Sequence, residues 1–187
     1  IELPLPWVVA GAETFAAGGV SIVNALGCVH QLSFGSECGD IEALSAVADI
    51  LRTEQFSQAL QVELQKGVTF ASARQAALLS LTNQKTASLL EHPNNILAIA
   101  YCNALKDINS TIRPFTIKRI GASHHDISLP PKKIASASQI RRMMEQNQEY
   151  ATYIPKETYP YLASAIQNKT APASIQRLER AILAKLR

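Results

Sequence analysis

The chain has 187 residues, 47% of them apolar, and a formal net charge of +3. That length suits one domain with a small appendage, and the apolar content excludes a disordered chain. No apolar run approaches the length needed to span a bilayer, so no membrane partner is expected.

The charge is unevenly placed. Residues 1–110 carry five Lys/Arg against ten Asp/Glu, whereas residues 111–187 carry thirteen against five. A basic second part suits a polyanion such as a nucleotide or RNA, and equally a solvated charged surface. Cys28, Cys38 and Cys102 are too few and too scattered for a disulfide framework and form no Cys-x-x-Cys pair. They read as thiols in a reducing cytoplasm. The opening Ile1-Glu2-Leu3-Pro4 has neither an initiating Met nor a signal pattern, so the chain reads as a piece of a longer protein.

In chain order, Ile1 to Pro4 reads as the end of a strand, with Pro4 and Pro6 stopping regular pairing. Ala12 to Leu26 has helical spacing, with Phe15, Val20, Ile22, Val23 and Leu26 toward a core and Gly27 as its terminal cap. Gly18-Gly19 weakens that helix. His30 to Phe34 is a short buried strand followed directly by Gly35. Asp40 caps a helix carrying Ile41, Leu44, Val47, Ala48 and Leu51, and Thr53 caps the next, with Phe56, Leu60 and Leu64 on one side and Gly67 at its end. Thr69 begins a third, to about Leu81. Thr82 to His92 reads as a polar loop. Pro93-Asn94 opens a strong helix, Phe115 to Ile120 is the second strand, and Ser136 or Ser138 caps a helix to about Gln146. This order predicts an α/β fold with a parallel sheet and flanking helices. Tyr150, Tyr153, Tyr159 and Tyr161, with Pro155 and Pro160, mark a junction near residue 150. The expected division is therefore 1–150 for the α/β domain and 151–187 for the start of a C-terminal helical region, with Ala173 to Arg187 helical.

Four places carry the residue types for anion or nucleotide chemistry. Gly35, at a strand end, is either a turn glycine or a point of close ligand approach. Asn94 is a good N-cap, and its amide can also hydrogen-bond a base or ribose through donor and acceptor. Arg119 at the end of the second strand can fork onto phosphate oxygens or form a surface ion pair. Ser136, Ser138 and Arg141 combine hydroxyls at a helix start with a guanidinium one turn in, which makes either an anion site or a capped amphipathic helix. His124-His125-Asp126 does not read as a metal site, because adjacent His side chains diverge and no further ligand has suitable spacing. A His donating to phosphate is the better reading there.

Seven segments in one order resemble the tRNA(Met) cytidine acetate ligases, HIGH-type members of the nucleotidyltransferase superfamily. They are Ile1-Glu-Leu-Pro-Leu-Pro6, Ala12-Glu-Thr-Phe-Ala-Ala-Gly18, Leu26-Gly-Cys28, Phe34-Gly-Ser-Glu-Cys-Gly-Asp40, Pro93-Asn-Asn-Ile-Leu97, Thr116-Ile-Lys-Arg119 and Ile134-Ala-Ser-Ala-Ser-Gln-Ile-Arg141. The resemblance implies a Rossmann-like nucleotidyltransferase core. It implies ATP-dependent activation of acetate as acetyl-adenylate, with Mg²⁺, and transfer of the acetyl group to the wobble cytidine of elongator tRNA(Met) in the cytoplasm. It places Gly35, Asn94 and Arg119 on positions used for ATP, and Ser136, Ser138 and Arg141 on a phosphate motif. Arg119 and Arg141 are the expected catalytic residues, and no metal-ligating side chain is expected. Two departures stand out. Nothing here matches the family's opening strand and His-x-Gly-His loop, and His124 stands where the family has Tyr. A missing strand is expected to leave a sheet edge or an apolar face open. A nucleotidyltransferase with another small acceptor, or a non-catalytic nucleotide- or RNA-binding fragment, is the alternative.

Overall fold

A computed structural model describes residues 3–120, 134–172 and 179–186. Contacts divide the chain into two compact units, 1–119 and 120–187. The change of composition near 150 falls inside the second.

The first unit opens with a short helix, α1 (Leu5–Val8), directly after Ile1–Pro4, which the sequence reads as the end of a strand running into a loop. Pro4 and Pro6 at its start suit a helix N-terminus as well as they suit a strand end. Helix α2 (Ala12–Ala25) follows, and Gly27 takes φ +67° just past its end, as a terminal glycine should. Of its expected inward residues Val20 is buried, but Leu26 is exposed. Gly18 also has a packing reason to be glycine. A Cβ there would lie 2.5 Å from Cε3 of Trp7, so the missing side chain lets the indole lie on the helix.

Strand β1 (Gln31–Ser36) pairs in parallel with β2 (Arg113–Lys118), in the register Gln31 to Arg113 through Ser36 to Lys118. Gly35 therefore lies within β1 opposite Ile117, not after the strand as expected. Three capped helices follow β1: α3 (Ile41–Leu51), α4 (Glu54–Leu64) and α5 (Phe70–Leu81). The side chains of Asp40, Thr53 and Thr69 each accept from the backbone N–H three residues on. The expected loop at 82–92 is helical instead. Asn83 caps α6 (Gln84–Ala87), a 3₁₀ turn spans Ser88–Glu91, and Ala87 and Leu90 are buried. Three apolar residues in eleven were too few to show a period, and core contact decides the local structure.

Helix α7 (Pro93–Asp107) is central. Its Ala98, Ile99 and Cys102 join Leu44, Val47, Phe56 and Leu78 in one core cluster. Its Ala100, Ala104 and Leu105 join Ala16, Val20 and Ile112 in another. Phe34 of β1 stacks on Tyr101 of α7 with ring centroids 5.3 Å apart. Burying each of the large aliphatic side chains here stabilises the fold by up to about 2 kcal/mol. The sheet face carrying Leu32, Phe34 and Thr116 is thus covered. The opposite face is open: Phe115 is 46% and Ile117 59% exposed.

In the second unit, α8 (Ala137–Glu145) begins at Ser136, α9 runs Tyr159–Gln167 and α10 Glu179–Leu186. A 3₁₀ turn at Ala151–Tyr153 leads into α9, and Tyr150 and Tyr159 pack with centroids 6.4 Å apart. Among the described residues no helix is long and apolar enough to cross a membrane. Cys28, Cys38 and Cys102 are all free thiols.

Candidate nucleotide site

Both parallel strands end side by side, and the candidate residues of the first unit collect at those carboxyl ends, where open α/β sheets bind ligands. The backbone N–H of Arg119 donates to Ser36 O at 2.9 Å, which carries the parallel ladder one step beyond Lys118. Arg119 then projects from the same face as Gly35. A Cβ on Gly35 would lie 3.2 Å from Cγ of Arg119 and 3.6 Å from its Cδ, so the bare backbone of Gly35 is the bed for the arginine stem. Among the described residues the guanidinium has neither an ion-pair nor a hydrogen-bond partner. That leaves all five of its donors for an anion.

The loop after β1 is braced from three sides. The hydroxyls of Ser36 and Thr116 share a buried hydrogen bond of 2.7 Å, and Ser36 Oγ also accepts from Gly39 N at 3.0 Å. Gly39 has φ +68°, and a Cβ there would meet Lys118 Cβ at 2.5 Å, so the loop can fold tightly over the end of β2 only with glycine at this place. Asn95, 1% exposed, accepts at its Oδ1 from the N–H groups of Glu37 (3.0 Å) and Cys38 (3.1 Å).

Glu37 returns the contact. One carboxylate oxygen accepts from Asn94 Nδ2 at 2.6 Å and Asn94 N at 3.2 Å, and the other from Asn95 N at 2.8 Å. Asn94 is consequently not the N-cap that the sequence predicts. His92 takes that place with Pro93 first in the helix, and the orphan N–H groups of the first turn are satisfied by a carboxylate 57 residues away in sequence. Burial alone would raise the Glu37 carboxyl. The hydrogen bonds from the Asn94 side chain and from the backbone N–H groups of Glu37, Asn94 and Asn95 outweigh it and hold the group below its ordinary 4.5. Sequence reasoning assigned Glu37 and Asn95 no role. The one available signal was a first turn of α7 without any acidic residue of its own.

The other three candidates form a separate group in the second unit. Ser136 makes a full capping box with Gln139: its Oγ accepts from Gln139 N at 3.2 Å, and its N–H donates to Gln139 Oε1 at 2.7 Å. Ser138, not the cap, accepts from Arg141 Nη2 at 3.3 Å on the exposed side. Each hydroxyl acts here as acceptor, so each keeps its proton for an anion. His124, His125 and Asp126 lie outside the described residues. Among the described residues no group of three His, Cys, Asp or Glu could hold a metal ion.

A parallel α/β sheet with an arginine and a loop–helix junction gathered at the strand ends places the chain in the class of open α/β proteins, which take their ligands beyond the carboxyl ends of the strands. The HIGH nucleotidyl transferase family model matches residues 1–187, and the chain belongs to that family. It is 41% identical, over its whole length and 48% of the relative, to the tRNA(Met) cytidine acetate ligase of Caldanaerobacter subterraneus subsp. tengcongensis. It is 40% identical to that of Clostridium perfringens, over 87% of this chain and 43% of the relative. The crystal structure of apo Thermotoga maritima TmcAL superposes with a TM-score of 0.86 at 33% identity, covering 95% of this chain and 44% of that one. The structure of the same protein bound with alpha-thio ATP superposes at 0.79 with 34% identity, over 89% and 40%. The chain thus has the nucleotidyltransferase fold, and it spans about half the length of the curated relatives it matches.

Proposed function

We propose that the protein carrying this chain is an ATP-dependent ligase that joins acetate, through acetyl-adenylate, to the wobble cytidine of elongator tRNA(Met). The observation that carries this reading is the Gly35–Arg119 pair: an unpaired guanidinium laid on bare backbone at the ends of two parallel strands. The similarity to named tRNA(Met) cytidine acetate ligases supports the reaction assigned.

Gly35, Asn94 and Arg119 in the first unit, and Ser136, Ser138 and Arg141 in the second, are the residues proposed for ATP. A carboxylate oxygen of acetate attacks the α-phosphorus, the bond to the β-phosphate oxygen breaks, and pyrophosphate leaves. The cytidine amine then attacks the acetyl carbon, losing a proton as AMP departs. Acetate and triphosphate are both anions, so the protein's work is to align them and to neutralise charge building on the phosphates. Arg119 and Arg141 suit the second task as planar, permanently charged donors. Mg²⁺ would arrive on the phosphates, since it keeps most of its waters and needs few protein ligands. The thirteen Lys/Arg of residues 111–187 suit an RNA substrate, and a reaction on tRNA belongs in the cytoplasm.

Acetate-dependent ATP–pyrophosphate exchange tests the reading, run on the full-length protein and on this chain side by side. Exchange that requires acetate is the expected result for the full-length protein. Exchange without acetate dependence moves the assignment to another small acceptor. Nucleotide binding with no exchange at all leaves a binding role.

A further inference from the structure

Glu37 and Asn95, in the first turn of α7, exchange hydrogen bonds reciprocally across 58 positions of sequence: Glu37 N–H to the Asn95 side chain, and Asn95 N–H to the Glu37 side chain. An ionised carboxylate only accepts, so whichever end of the Asn94 amide faces Glu37 must be its nitrogen. The 2.6 Å contact from Asn94 Nδ2 to Glu37 Oε1 is short, as a charge-assisted bond should be. The Asn94 oxygen is left with no protein partner among the described residues. Asn94 is half-buried at the start of α7, whose first turn meets the loop that follows β1.

We propose that Glu37 is a positioning residue for the nucleotide: it holds the Asn94 amide one way round, so that Asn94 offers its oxygen to a hydrogen-bond donor on ATP. The donor is a ribose hydroxyl or the adenine amino group, and the amide oxygen reads it. This deepens the nucleotide reading and rests on it. Without the carboxylate the amide turns freely and reads donor and acceptor alike, so the selectivity disappears while the pocket survives.

The test is calorimetric titration of the full-length protein with ATP, 2′-deoxy-ATP, 3′-deoxy-ATP and inosine triphosphate. The analogue lacking the donor that Asn94 meets should bind about tenfold more weakly than ATP to the native protein, the value of one well-placed hydrogen bond. In Glu37→Gln that penalty should shrink to about twofold or less, as expected once donor and acceptor can exchange places. An equal loss for all four nucleotides, with the penalty intact, makes Glu37 merely structural and overturns the proposal. Native protein that binds all four alike overturns it too. Native protein that binds no ATP overturns the nucleotide reading itself, a distinct result. Should Glu37→Gln unfold, Asn94→Ala gives the same answer: the penalty must vanish there, and its persistence sinks the proposal.

Discussion

Arg119 lies across Gly35, with its Cγ 3.2 Å from where a Cβ on the glycine would project. Register makes the pair: Gly35 sits opposite Ile117, and Arg119 is the next residue on the same face. Gly35→Ala should leave stability within about 1 kcal/mol, because the arginine stem is flexible and can shift by a few tenths of an ångström. It should also weaken ATP binding several-fold by displacing the guanidinium. Thermal unfolding beside a nucleotide titration measures both, and a mutant with native affinity would show that the arginine's placement is immaterial.

Arg119→Ala removes the guanidinium without touching the core. ATP affinity or turnover should fall at least about tenfold, within the range for a lost charged hydrogen bond, with the circular dichroism spectrum unchanged. An unaltered ATP titration would remove Arg119 from the site.

Gly39→Ala should be costly. It puts a side chain at φ +68° and 2.5 Å from Lys118 Cβ, with Lys118 Cα at 3.1 Å, so the obstacle includes backbone and cannot swing away. Left-handed strain and the clash together should cost about 2 kcal/mol or more in urea unfolding. Stability equal to native would mean that the loop does not close over β2 as described.

The Glu37 carboxyl sits below its ordinary 4.5, so the folded state favours its ionised form. Its contribution to stability is complete above that value and is lost as pH falls through the lower, folded one. The native protein should therefore lose stability on acidification below about pH 4.5 by a component that Glu37→Gln lacks. Parallel denaturant titrations between neutral and acid pH measure the difference, and identical pH slopes would show that the lock carries no such energy.

Much of this protein was legible in order along the chain. Asp40, Thr53 and Thr69 announce their helices because capping is a local matter, settled within three residues. The α/β class and the parallel sheet follow from the alternation of short apolar runs with helical periods. The helices at 84–91 were not legible, because burial decides them: Ala87 is fully buried, and Leu90 joins a core with residues as distant as Leu44 and Val47. Gly35 could be singled out as a glycine near a strand end, yet its place inside β1 depends on pairing with residues more than eighty positions away. Asn94 looked like a cap because asparagine is among the residues favoured at a helix start. Only the folded chain brings Glu37 to the start of α7, where its charge satisfies the free N–H groups and engages the Asn94 amide nitrogen. Sequence by itself determined the family, the elements and the residue types at the strand ends, since these rest on local pattern. Tertiary structure decided which atoms of those residues remain free, since hydrogen-bond partners are chosen by proximity in space.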